Sequence, residues 1–204
     1  MSNVRIDRNF SFLAGYHADA QNQYCCNEYN VNLNMITVST NGWDHDTAFE
    51  RIKYYSTYVL SSCVFVDEQQ TEVIERYIAA GMRVVALPQV PVDQIIGMMI
   101  HYKFNAMLED RVNIMGTAIS SRVGNGIVYL HDEEENAGPF QDDDWWDDPE
   151  PTYGRKTNGS VVDFSKKSTW ANLNLNWNEQ PAIIEIDSEE PSGNIVTFPT
   201  DDKE

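Results

Sequence analysis

The segment from residue 63 to residue 87 constrains the fold of this 204-residue chain more than any other. Cys63 to Val66 is a continuously apolar run that ends at Asp67, and Arg83 to Leu87 is a second strand-like run. The residues between them place apolar side chains at helical spacing and stop at Gly81, where a left-handed helix C-terminus is expected. Strand, helix and strand within about 25 residues form a βαβ crossover, so the two strands are predicted to be parallel.

The residues before this unit predict two further strands and a helix. Apolar side chains that alternate with polar ones indicate half-buried strands over 10–16 and 31–38, separated by a polar loop over 18–30. Thr47 and Glu50 have the spacing of a capping box, so a helix is expected over 47–62.

The residues after the unit complete the body. A third helix is expected over 91–110, opened by Pro91, with His101 exposed or partly packed within it. Strands over 112–120 and 126–130 are expected to be joined through Gly124-Asn125-Gly126. Residues 1–131 are therefore predicted to form one α/β domain with a mixed sheet.

Charge is concentrated in the last third of the chain. The formal net charge is −18; residues 1–130 hold 13 acids and 9 bases, whereas residues 131–204 hold 19 acids and 5 bases. Residues 132–150 alone hold ten acids and no base. This balance excludes a nucleic-acid binder held mainly by phosphate contacts. The acidic run is expected to be extended and solvated unless a basic partner neutralises it.

Beyond the body we predict two regions. Residues 132–159 form an acidic linker or docking segment, and residues 160–204 form an extended region with short strands. Within the latter, apolar side chains at 171, 173, 175 and 177 alternate with asparagines, which predicts a strand with one buried face. Part of residues 160–198 is therefore expected to dock, on this chain or on another protein.

Paired tryptophans inside the acidic run are the main candidate binding element. Carboxylates around an aromatic anchor suit a basic protein groove, because charge speeds the encounter and a buried indole holds the complex. A DNA mimic and a plain solvated linker are the alternatives. The candidate partner-binding residues are Asp142, Asp143, Asp144, Trp145, Trp146, Asp147 and Asp148.

A second candidate site lies where predicted parallel strands end, since ligands bind at that edge of open sheets. Asp67 and Gln89 follow two such strands, and His17 and Asp19 follow a neighbouring one. A carboxylate there can orient a ribose or act as nucleophile or base. The alternative role of Asp67 is to cap the helix that follows.

This layout is similar to nucleoside deoxyribosyltransferase-like domains over two short stretches, Ser11 to Tyr16 and the βαβ unit. The resemblance implies a nucleoside-processing enzyme with candidate catalytic residues Asp67, His17 and Asp19. The aspartate and glutamate pattern of those enzymes is not cleanly present here.

The remaining motifs point away from metals, cofactors and membranes. Trp43-Asp44-His45-Asp46, together with His17 and Asp19, could supply metal ligands, but a polar loop that caps a helix is the favoured interpretation. No metal or cofactor is expected. Three cysteines without disulfide or zinc spacing, and no stretch apolar enough to span a bilayer, favour a cytoplasmic protein.

Residues 45–140 resemble a group of uncharacterised proteins of large tailed bacteriophages. The resemblance rests on Pro91 to Gly97, Phe104 to Arg111 and Ile119-Ser120-Ser121. It implies an accessory protein made in the bacterial cytoplasm that binds host machinery or a virion component. The sequence favours such an interaction protein over an enzyme, with a basic protein as partner, and leaves self-association open.

Overall fold

Two long strands form an antiparallel hairpin at the centre of the sheet. In the computed structural model β1 spans Arg5–Ala18 and β2 spans Gln23–Thr37. The structure describes residues 4–132, 136–153, 156–157, 160–161 and 168–177. Both predicted strands are confirmed, but the loop expected over 18–30 is wrong. The start of β2 is polar because one of its faces is exposed, while Asn27 and Tyr29 point inward.

The βαβ unit is confirmed. β3 spans Cys63–Asp67, α2 spans Thr71–Ala79 and β4 spans Arg83–Leu87, and the two strands are parallel in the register Val64 to Val84. Gly81 has a φ of 77°, the left-handed conformation that the end of α2 requires.

The first helix begins earlier than the capping-box spacing suggests. α1 spans Gly42–Tyr54 and is capped by Asn41, whose side chain accepts a hydrogen bond from the Trp43 amide. A wide π-helical turn over Tyr55–Leu60 continues it. Thr47 and Glu50 therefore lie inside the helix, and Asn41 provides the cap expected of Thr47.

The second half of the body follows the prediction closely. α3 spans Asp93–Leu108, β5 spans Val112–Ser121 and β6 spans Val128–Asp132. Asn125 and Gly126 both have positive φ values in the turn between β5 and β6. Two very short strands, β7 at Lys156–Thr157 and β8 at Ser160–Val161, pair with each other apart from the main sheet.

The main sheet is mixed, in the order β4-β3-β1-β2-β5-β6, and the domain is of the α/β class. α1 and α3 pack on one face, over inward side chains such as Phe12, Leu33 and Phe65. α2 packs on the opposite face, where Tyr77 contacts Val64 and Val66. The rest of that second face carries exposed side chains from β1, β2, β5 and β6, and is called the open face below.

In the described part of the chain, no helix has both the length and the apolar character needed to cross a membrane. Most of the extended region predicted over 160–204 lies outside the described residues. Of its described residues, 160–161 form β8 and 168–177 pack on the body.

Candidate functional site

Residues 136–153, called the acidic strap below, run along helix α3 instead of extending into solvent. Phe140, Trp145 and Trp146 belong to the main core, and Phe140 stacks on Tyr102 of α3 with ring centroids 5.8 Å apart. Gly138 approaches Met98 one turn earlier on the same helix. The expectation of an extended, solvated run is therefore wrong for the described residues, because apolar side chains at 140, 145 and 146 bury against the body.

Lys103 of α3 clamps the strap. Its ammonium is fully buried and donates to the backbone oxygens of Trp145 at 2.8 Å, Asp148 at 2.6 Å and Glu150 at 2.8 Å. The Thr152 hydroxyl oxygen lies 3.1 Å from the same nitrogen. Burial lowers the pKa of Lys103 to about 7, against the opposing pull of nearby strap carboxylates. Lys103 thus fixes the backbone of the strap through its peptide oxygens and the Thr152 hydroxyl.

Both indoles are buried in the protein's own core, so they are not free to anchor a partner. Trp145 is 5% exposed and Trp146 is 3% exposed. The Trp146 and Phe140 rings pack edge to face with their centroids 5.0 Å apart. The Trp146 Nε1 donates to the Asp142 carbonyl oxygen at 3.1 Å. The expectation that the tryptophans insert into another protein is therefore corrected by the structure.

The strap carboxylates, in contrast, face solvent. Asp142, Asp143 and Asp147 are exposed, and Asp144 and Asp148 are half-buried. Partial burial raises the pKa of Asp147, and the carboxylates of Asp143 and Asp144 also raise it. Within the described residues, no ion pair involves Asp142, Asp143 or Asp147. The strap therefore displays crowded negative charge on a backbone that the core holds in place.

A second buried cation, Arg51 of α1, fixes residues 168–177, called the C-terminal segment below. Its Nε donates to the Leu175 carbonyl oxygen at 2.9 Å, and its Nη1 donates to the Glu109 carboxylate at 2.7 Å. The guanidinium carbon lies 3.9 Å from the ring centroid of Trp177 and 4.8 Å from that of Trp170. Arg51 therefore lies within cation–π distance of two indoles.

The strand predicted from the alternating asparagines is wrong. The backbone of the C-terminal segment forms turns, and Asn174 adopts a left-handed φ of 55°. The alternation has its expected effect on burial only in part. Leu173, Leu175 and Trp177 are half-buried and the asparagines between them are exposed, but Ala171 is exposed too. Docking of this part of the chain on its own body is thus observed.

Two buried histidines meet between α3 and β6. The ring centroids of His101 and His131 are 4.8 Å apart, and both side chains are almost fully buried. His101 Nδ1 lies 3.1 Å from the Thr117 hydroxyl, and the Asn105 amide donates to His101 Nε2 at 3.3 Å. Burial, with His131 close by, lowers the pKa of His101 to about 4, so the ring is neutral. His101 is thus buried, not exposed or partly packed as expected.

The sheet-edge residues are only partly brought together. Asp67 and Gln89 line one cleft of about 320 Å³ with Gln69 and Val92. His17, however, is buried on the α2 face of the sheet, where its Nδ1 lies 3.0 Å from the Tyr77 hydroxyl.

Tyr16, which precedes His17 in the same strand, points to the opposite face and packs against the main core. Asp19 is exposed in the short turn after β1. Asp67 accepts a hydrogen bond from the Gln69 amide, and the residue at the N-cap of α2 is Gln70. Asp67 thus stabilises the turn before the helix and does not cap it.

The metal-like motif does not assemble with His17 and Asp19. Asp44 and His45 lie in the first turn of α1, where Asp44 is buried and accepts hydrogen bonds from Ser39 and Arg111. Arg5 and His17 lie at opposite ends of β1, about 40 Å apart at 3.3 Å per residue. Since α1 follows the end of β2 that pairs with Arg5, the two halves of the motif are at opposite ends of the sheet. Among the described residues no metal-binding group of acidic, histidine or cysteine side chains is found.

Lys103 and Arg51 were missed from the sequence, although a signal for one of them is present. Lys103 falls four residues after Met99 and four before Met107, on the apolar stripe of α3. A lysine on such a stripe requires buried oxygen acceptors. Arg51 carries no comparable signal, because its partners, such as Glu109 and Leu175, are distant in the sequence.

Comparisons with known proteins identify no family for this chain. No protein-family model matches the chain, and no curated protein matches it. Among solved structures, the chain is similar to an uncharacterised protein from Wolinella succinogenes. The two share 10% identity, with 66% of this chain and 100% of that chain covered, at a TM-score of 0.46. That protein is itself uncharacterised, so the likeness assigns no activity.

Proposed function

We propose that this chain is a non-enzymatic binding protein that engages a basic protein surface through the acidic strap. The proposal rests on one observation: the side chains of Asp142, Asp143 and Asp147 are exposed together. The backbone that carries them is fixed by buried aromatic residues and by Lys103. Crowded carboxylates repel one another, and a cationic partner relieves that repulsion.

A fixed strap makes a better docking element than a flexible run. Ordering a mobile segment on binding opposes association, and here folding has already ordered it. The specificity of the surface then comes from the spacing of its carboxylates, and its charge speeds the encounter. In line with the bacteriophage resemblance, the partner that we propose is a host or virion component in a bacterial cell.

An enzyme that processes nucleosides has less support. The cleft beside Asp67 and Gln89 does not include His17 or Tyr16, which point to opposite faces of the sheet. We therefore propose no catalytic role for Asp67, His17 or Asp19.

The experiment neutralises the strap and compares captured proteins. The immobilised full chain, a variant with Asp142, Asp143 and Asp147 changed to asparagine, and a control are incubated with nuclease-treated bacterial lysate. The control carries Asp46→Asn, Glu72→Gln and Glu75→Gln, which remove the same charge from exposed helical positions. Captured proteins are quantified by mass spectrometry.

We expect a protein with a basic surface to be captured by the wild type and by the control, and to be lost with the strap variant. Raising the salt concentration should weaken its binding, since the attraction is between exposed charges. Equal capture by all three proteins would contradict the proposal. A captured DNA-binding protein that duplex DNA displaces would instead support the DNA-mimic alternative.

A further inference from the structure

The outermost strand of the sheet, β6, carries a cluster of exposed apolar side chains. Val128, Tyr129 and Leu130 are all exposed, and Leu130 is 69% exposed. Val123 and Ile127, in the turn that precedes the strand, are exposed as well. Edge strands normally carry charged side chains that prevent association, so a long apolar edge marks an interaction site.

The backbone of β6 forms strand hydrogen bonds along one of its two edges. β6 pairs with β5 from Gly116 opposite Asp132 to Ser120 opposite Val128. Within the described part of the chain, no strand pairs with its other side. The backbone amides and carbonyls on that side form a ready template for another strand.

The charge distribution indicates what the edge binds. Residues 123–130 contain no charged side chain in a chain of net charge −18. A basic partner finds a single carboxylate on β6, that of Asp132 at the end of the strand. Two identical acidic chains, in contrast, can approach one another over the uncharged residues 123–130 with the least repulsion. The opposite edge, β4, has no exposed large apolar side chain. Pairing of β6 with β4 of another copy would therefore leave the apolar cluster unmatched.

We propose that two copies of this chain associate through β6, antiparallel about a two-fold axis at Tyr129. This axis sets Tyr129 opposite its own equivalent and Val128 opposite Leu130 of the second copy. Val128 and Leu130 both lie on the open face, in register with Ser120 and Ala118. The two apolar pairs are then covered reciprocally, as a two-fold interface requires, and the sheet continues from one copy into the other.

Sedimentation of the full chain over a concentration series tests the association. We expect a monomer–dimer equilibrium that Leu130→Glu weakens by about tenfold or more. The matched control is Leu13→Glu, at a 58% exposed position of β1, which should leave the equilibrium unchanged. Because both copies are acidic, added salt should strengthen the dimer, the opposite of its effect on the strap's basic partner.

Engineered cysteines test the axis. In a Cys25→Ser, Cys26→Ser background, Tyr129→Cys should form an intermolecular disulfide with oxidised glutathione. Directly opposite residues of antiparallel strands have Cα atoms about 4.5–5.5 Å apart, within disulfide range. Val123→Cys, which is exposed but away from the axis, should not.

A monomer at every concentration, a Leu13→Glu effect equal to that of Leu130→Glu, or an assembly larger than a dimer would overturn the proposal. Failure of Tyr129→Cys to cross-link more than Val123→Cys would overturn the axis.

Discussion

Replacing Trp146 with alanine removes a buried indole from the aromatic cluster that joins the acidic strap to the main core. The indole is 3% exposed, meets Phe140 edge-on at 5.0 Å and Trp145 at 5.7 Å, and donates one hydrogen bond to the strap backbone. Truncation of a buried tryptophan costs about 3–5 kcal/mol through lost burial and the cavity it leaves. We expect the free energy of unfolding to fall by that amount.

Urea denaturation followed by circular dichroism measures this change. With a slope of about 2 kcal/mol per molar urea, the midpoint should fall by about 1.5–2.5 M. Trp43→Ala is the matched control, because the Trp43 side chain is 66% exposed and its loss should change stability by about 0.5 kcal/mol or less. If Trp146→Ala unfolds at the same urea concentration as Trp43→Ala, the strap is not part of the folded body.

Three further outcomes are expected. Lys103→Met leaves three backbone oxygens without their donor, so the free energy of unfolding in urea should fall by about 3 kcal/mol. Lys53→Met, at an exposed ion pair with Glu50, should change it by less than about 1 kcal/mol. Lysine lacks the planar, forked guanidinium, so Arg51→Lys cannot reproduce the contacts of Arg51 with the indoles and with Glu109. Both Arg51→Lys and Arg51→Met should therefore lower the melting temperature and shift the tryptophan emission, because the C-terminal segment is loosened. An unchanged melting temperature in Arg51→Lys would refute the role of these contacts. His101 has a pKa lowered from 6.5 to about 4, so the unfolded chain binds more protons between those values. The contribution of neutral His101 to the free energy of unfolding is complete above pH 6.5. It is lost as the pH falls to about 4, which lowers the free energy of unfolding by up to about 3 kcal/mol. His101→Gln should remove this part of the pH dependence.

The body of the fold was accessible from the sequence because its signals are local. The apolar runs of β3 and β4 and the glycine at 81 define the βαβ unit without knowledge of the partners. The start of β2 was missed because its exposed face is polar, and exposed polar residues in a strand look like a loop. The helix start was missed because two capping signals compete, and Asn41 prevailed over Thr47.

The docking of the acidic strap depends on long-range partners, which the sequence does not reveal. The ten acids of residues 132–150 dominate the composition, but the energetics are set by three aromatic residues and by a lysine about 45 positions away. Lys103 also binds mainly backbone oxygens, which carry no residue-specific pattern. Residues 171–177 form turns instead of the expected strand, and their contact with Arg51 is likewise a long-range one that the local pattern does not reveal.

Amide hydrogen exchange of the full chain tests most directly whether the acidic strap is a docked part of the body. The amides of Phe140, Asp147 and Thr152 donate to backbone oxygens within the strap, and those of Trp145 and Glu150 donate to aspartate side chains. We predict protection of residues 138–152 close to that of helix α3, and loss of that protection in Lys103→Met. Complete exchange of this segment within seconds, while α3 stays protected, would contradict the account.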